Sequence, residues 1–134
     1  ISTANAYARL TAASRGTALE GQNLESIFED MIIGASKFQL TQDEMVGTFR
    51  AFEQMMSKGT VQAEELRGQL GDRLVGAFNI AADAMGMTTA ELNKALKAGE
   101  VMAEDFLPKF AEEFRRAMGA DQTDRVESLR ASMN

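Results

Sequence analysis

Three pairs of adjacent carboxylates, Glu64-Glu65, Glu104-Asp105 and Glu112-Glu113, have the best formal claim to chemistry in this 134-residue chain. Two carboxyl groups held at a fixed separation can serve as acid and base, or acid and nucleophile, in glycoside hydrolysis. Their context argues otherwise. All three pairs fall at or near helix starts or on the polar side of an apolar stripe, where solvated carboxylates are expected and a helix dipole favours anions. Asp121-Gln122-Thr123-Asp124 begins like a calcium loop but lacks the later Asp or Asn, Gly and Glu, so it reads as a helix cap. Ser57-Lys58-Gly59-Thr60 is superficially like a phosphate loop, yet the Gly-x-x-x-x-Gly-Lys-Ser/Thr order is missing and no strand precedes it.

The chain has neither His nor Cys. That removes thiolate nucleophiles, disulfides, Ser-His-Asp triads and the usual zinc ligands together. No catalytic, cofactor-binding or metal-binding residue is assigned, no cofactor is expected, and the chain is read as a non-enzyme. The formal net charge is −6, which repels nucleic acid and anionic membranes on average. The small basic clusters Arg9…Arg15 and Arg115-Arg116 are expected to make local helix pairs. The longest stretch without a charge, Leu74 to Ala82, falls far short of the roughly 20 apolar residues of a membrane span. Met55-Met56 and Met85…Met87 could line a groove, but Met at helical spacing belongs first to a core.

Positioning any of these groups falls to helices, because no segment shows strand alternation. With 45% hydrophobic and 25% charged residues and a single Pro, the composition is globular. Residues 3–15 read as a weak, Ala-rich helix, with a break bracketed by Gly16 and Gly21. Leu24, Ile27, Phe28, Met31, Ile32, Ala35 and Phe38 recur at three- and four-residue steps, one stripe of an amphipathic helix. Thr41-Gln42-Asp43-Glu44 is a capping box opening a helix with Met45, Phe49, Phe52 and Met56 inward and Gly59 at its end. Leu66, Leu70, Leu74, Ala77, Phe78, Ala81 and Met85 form one long register closed by Gly86. A second capping box, Thr88-Thr89-Ala90-Glu91, opens a short helix with Leu92, Ala95 and Leu96 inward, closed by Gly99. Phe106, Phe110, Phe114 and Met118 make the next stripe, ended by Gly119. Val126, Leu129 and Met133 mark a last short helix.

Two of these units echo each other. Gly59-Thr60-Val61-Gln62-Ala63-Glu64-Glu65-Leu66 matches Gly99-Glu100-Val101-Met102-Ala103-Glu104-Asp105-Phe106 at an offset of 40. The capping boxes upstream match at an offset of 47. The two offsets differ by seven residues, about two helical turns, so the second unit's first helix is expected to be two turns shorter. With Gln62 and Met102 as N-caps, Val61 and Val101 can staple onto Leu66 and Phe106. The fold expected is all-α: a compact multi-helix domain of two similar helical hairpins plus flanking helices, spanning 1–134 as one domain. Because residue 1 is Ile, the chain is expected to be a fragment of a longer one.

The run Phe49-Arg50-Ala51-Phe52-Glu53-Gln54-Met55-Met56-Ser57-Lys58-Gly59, followed by Glu64-Glu65-Leu66-Arg67-Gly68-Gln69-Leu70-Gly71-Asp72-Arg73-Leu74, closely resembles the tape measure domain of long-tailed phage and prophage tail proteins. Gly76-Ala77-Phe78, Ala81-Ala82, Ala84-Met85-Gly86 and Leu92…Leu96…Gly99-Glu100-Val101 continue the likeness, and Arg9-Leu10…Ile27-Phe28 extends it more loosely. The family commonly has Pro between Leu74 and Gly76, where this chain has Val75. Pro there would break or kink a helix, so Val75 is expected to let the helix run straight through toward Gly86.

The resemblance implies a structural role in phage tail assembly, as part of the protein that sets tail length while tube subunits polymerise around it. Implied partners are other tail proteins (tail tube, tail assembly chaperones, tail tip) and self-association. This domain would bind neither nucleic acid nor membrane. The implied location is the host cytoplasm during assembly and then the virion tail. A competing reading is a helical adaptor that binds a partner helix in a Met/Phe-lined groove. An acid–base hydrolase is a third, and a DNA-binding helix-turn-helix lacks its basic recognition helix.

Overall fold

The computed structural model describes residues 3–74 and 76–117. Both capping boxes form. Thr41 Oγ1 accepts from the Glu44 N–H at 3.1 Å while Glu44 Oε1 accepts from the Thr41 N–H at 2.9 Å. Thr88 and Glu91 repeat the exchange at 3.1 and 2.8 Å. Each exchange satisfies two donors that a helix start otherwise leaves orphaned. The helices they open are α3 (Gln42–Lys58, 17 residues) and α5 (Thr89–Lys97, 9 residues). The difference of eight residues is the two-turn shortening that the offsets imply. Ahead of them lie α1 (Thr3–Ser14) and α2 (Gln22–Phe38). Between them lie a π-helix (Glu65–Leu70) and α4 (Ala77–Met85), and α6 covers 103–117 of the described residues. No strand occurs among the described residues; the architecture is all-α.

The core is built on aromatic rings. Tyr7 of α1 meets Phe28 of α2 at 4.4 Å between centroids, Phe28 meets Phe49 of α3 at 5.0 Å, and Phe49 meets Phe52 at 6.1 Å. Phe52 then meets Phe110 of α6 at 6.1 Å, edge-on. Along α6, Phe106, Phe110 and Phe114 stack at 5.4 and 6.2 Å, and Phe38 of α2 closes on Phe114 at 6.3 Å. One connected path of rings thus ties four helices together, and Phe78 alone among the aromatics stands outside it. Offset and edge-to-face pairs at these separations add to the burial energy of each ring. α2 presents Gly34 to Phe114: a Cβ built there would lie 2.5 Å from that ring, so the contact needs the missing side chain.

Three expectations are corrected. The register from Leu66 to Met85 is not one helix. It begins as a π-helix with Gly71 N–H donating to the Leu66 carbonyl (3.1 Å), then turns, and Gly76 sits at φ 84° before α4 starts. A left-handed residue ends a right-handed helix. Leu66, Leu70, Leu74 and Ala77 are still at most 1% exposed, so burial is kept while the path bends. Val75 itself lies outside the described residues. Phe78, expected in the core, is half-buried, its ring capped by the Arg67 guanidinium at 3.9 Å. Ile32, placed on the α2 stripe, is 38% exposed. The stretches around Asp121, Val126, Leu129 and Met133, with Met118 and Gly119, lie outside the described residues.

Candidate functional site

The two echoed turns meet each other. Val61 N–H donates to the Val101 carbonyl at 2.9 Å and Ala103 N–H donates to the Gly59 carbonyl at 3.0 Å, a single antiparallel bridge pairing Thr60 with Met102. In that register Val61 stands opposite Val101, so this one pair matched by the offset of 40 faces across the bridge. Both valines are 1% exposed. The caps are as the echo implies: the Gln62 carbonyl accepts from Glu65 and Leu66, and the Met102 carbonyl from Asp105 and Phe106. This junction joins the two hairpins and carries two of the three carboxylate pairs.

The pairs do not converge on a shared cleft. Glu64, Glu104, Asp105 and Glu112 are exposed and Glu113 is half-buried. Glu65 departs from the solvated position expected of it, at 1% exposure. Its Oε2 lies 3.1 Å from Lys58 Nζ, and its Oε1 accepts from the Gln62 N–H at 3.2 Å. The carboxylate therefore closes the first copy's helix start and neutralises a cation at the C-terminal end of α3. Its place three residues after the Gln62 cap, from which a side chain reaches back to the cap N–H, separates Glu65 from Glu64. Asp105, its counterpart, pairs instead with Lys109 on the exposed face of α6 at 2.9 Å.

Two glutamates have shifted acidity. Backbone and hydroxyl donation from Thr41 holds Glu44 below the ordinary carboxylate range, and Thr88 does the same for Glu91. These are capping effects at exposed helix starts. Among the described residues no group of three or more His, Cys, Asp or Glu is gathered so as to hold a metal ion. Ser57 and Lys58 end α3, Gly59 caps it in the left-handed conformation, and Thr60 enters the bridge, which leaves no phosphate-cradling loop.

The arginines do more than pair within their helices. Arg116 pairs locally with Glu112 and Glu113 as expected. Arg115, however, reaches Asp30 of α2 at 2.9 Å, and Arg9 reaches Glu53 of α3 at 3.5 Å. Those tertiary ties had no signature in the sequence, because their partners lie 85 and 44 positions away. The methionines divide: Met55 and Met56 are buried, Met85 and Met87 are partly buried against the core, and Met102 is 49% exposed. Around Met102 a cleft of about 330 Å³ is lined by Thr17, Met56, Gly59, Ala103, Glu104 and Asp105.

The family model described as tape measure protein matches residues 1–133. The chain belongs to the tape measure protein family. A curated relative, the probable tape measure protein of Salmonella phage Felix O1 (isolate Felix O1-VT1), is 43% identical over 106 residues. That match covers 79% of this chain and 14% of the relative, so the chain spans about a seventh of the tape measure protein it resembles. No solved structure matches the chain. No helix among the described residues is long and apolar enough to cross a membrane.

Proposed function

We propose that residues 1–134 form one structural domain of a longer tape measure polypeptide in a phage tail, acting by anchoring and organising assembly rather than by catalysis. Family membership across residues 1–133 carries the reading. The geometry supports the mode of action. Helices that each bury one face must pack on one another, since single helices of 9 to 17 residues are marginal in water. A folded-back domain offers surfaces to partners, whereas it contributes little length to a ruler.

The partners in this reading are tail tube subunits, tail assembly chaperones and tail tip proteins, met first in the host cytoplasm and then in the virion tail. A phage lacking its tape measure gene can be complemented with the double variant Phe106→Ala and Phe110→Ala, which empties the centre of the core. Particles without tails, beside normal tails from the wild-type copy, are the expected outcome. Normal tails from the double variant would show that the folded domain is dispensable.

A further inference from the structure

Residue 102 holds its place in the fold through backbone groups. Its carbonyl accepts from the Asp105 and Phe106 N–H groups at the start of α6, and the hydrogen bonds of the bridge belong to its neighbours Val101 and Ala103. The Met102 side chain is 49% exposed and lines the cleft of about 330 Å³, where a water-sized molecule needs only about 10–15 Å³. Met56 lines the same cleft but is 7% exposed, and Met31, Met45 and Met55 are at most 5% exposed. In the first copy of the echoed turn the equivalent residue is Gln62, also exposed, whose Oε1 accepts from Lys58 Nζ at 3.3 Å. The same place in the turn therefore takes a thioether in one copy and a side chain with an oxygen on its δ atom in the other.

We propose that Met102 is a reversible oxidation site, converted to the sulfoxide by hydroperoxides ahead of the core methionines and without loss of the fold. Hydrogen peroxide gives one oxygen to the thioether sulfur as its O–O bond breaks, leaving sulfoxide and water. The sulfur loses two electrons and the peroxide gains them, so no further reactant is needed. Two thiols reverse the step through methionine sulfoxide reductases, returning thioether, disulfide and water. Sulfoxide formation turns a flexible apolar side chain into a polar one, which disrupts a core. A buried methionine is reached only when the fold opens locally, whereas Met102 is reached through the cleft. Its sulfoxide carries an oxygen on the δ atom, as Gln62 does, at a position that stays in water. Oxidation thus changes the cleft lining from apolar to polar and leaves the core as it was.

The core closes among residues 6–114, so the test uses the 134-residue chain. Dilute hydrogen peroxide is added to the folded protein and peptide mass spectrometry follows each methionine. Sulfoxide at Met102 should form at least about ten times faster than at Met31 or Met55, which wait for local opening. The thermal midpoint should stay unchanged as Met102 is converted. The two methionine sulfoxide reductases, one for each epimer, should restore the original mass with dithiothreitol as the thiol. Met102→Gln should also leave the midpoint unchanged, while Met56→Gln should lower it clearly, because there the polar group enters the core. Comparable rates at Met102 and the buried methionines would overturn the proposal. So would a midpoint that falls with Met102 conversion or in Met102→Gln, a sulfoxide that neither reductase reduces, or a harmless Met56→Gln, which would make the core as tolerant as the surface.

Discussion

Phe110 is where three ring contacts meet, with Phe52, Phe106 and Phe114, and it is fully buried. Removing it leaves a cavity that neighbouring rings cannot refill, so Phe110→Ala should cost about 3–5 kcal/mol in urea unfolding. A cost under about 1 kcal/mol, the size of a surface change, would mean the ring path does not hold the helices. The adjacent glutamates separate sharply. Glu64 is exposed, and Glu64→Ala should stay within about 0.5 kcal/mol. Glu65→Ala removes the acceptor of the Gln62 N–H and empties a buried position, and should cost about 1–2 kcal/mol. The Lys58 side of that pair adds little, because at 47% exposure Lys58 can return to water. Equal effects at the two positions would contradict this assignment. Phe49, Phe52, Phe106 and Phe110 were legible because three- and four-residue steps place side chains on one helix face; Phe78, on the same kind of step, was not. Glu65 was not, because its burial depends on where the π-helix lies against the end of α3.

At the scale of elements, the capping boxes were fully legible, since every partner lies within four residues and the chemistry is local. The two echoed turns meet antiparallel, so of the residues that the offset of 40 equates only Val61 and Val101 stand opposite one another. The break after Leu74 was not legible. Leu66, Leu70, Leu74, Ala77, Ala81 and Met85 fit one helical stripe, and only tertiary burial reveals that the backbone bends while the stripe stays covered. Gly76 at φ 84° makes the bend, and Gly76→Ala should cost about 1–2 kcal/mol. The caps carry a pH signature. Glu44 and Glu91 have lowered folded-state pKa values, so their contribution is complete above the ordinary carboxylate pKa near ~4. It is lost as pH falls through the lower folded values. The thermal midpoint of wild type should exceed that of Glu44→Gln/Glu91→Gln at neutral pH, and the gap should close in acid. A gap that widened in acid would reverse the sign of the argument.

For the whole molecule, length and compactness are opposed. As one continuous helix, 134 residues would span about 200 Å. The described residues fold back instead, with α1 on α3, the π-helix on α3, α4 and α5 together, and α6 joined to α2 and α3 by rings and by Arg115–Asp30. The all-α class could be read from stripes and caps. The junction between hairpins could not, because its hydrogen bonds run between backbone groups about 40 residues apart. In the role proposed for it, this domain anchors assembly and is not a stretch of extended ruler. An in-frame deletion of these residues from the tape measure polypeptide, with tails imaged by electron microscopy, tests it most directly. Loss of an anchoring domain should give no tails, or tails of uncontrolled length. Viable tails uniformly shorter by about 200 Å, the rise of a fully extended helix, would contradict it.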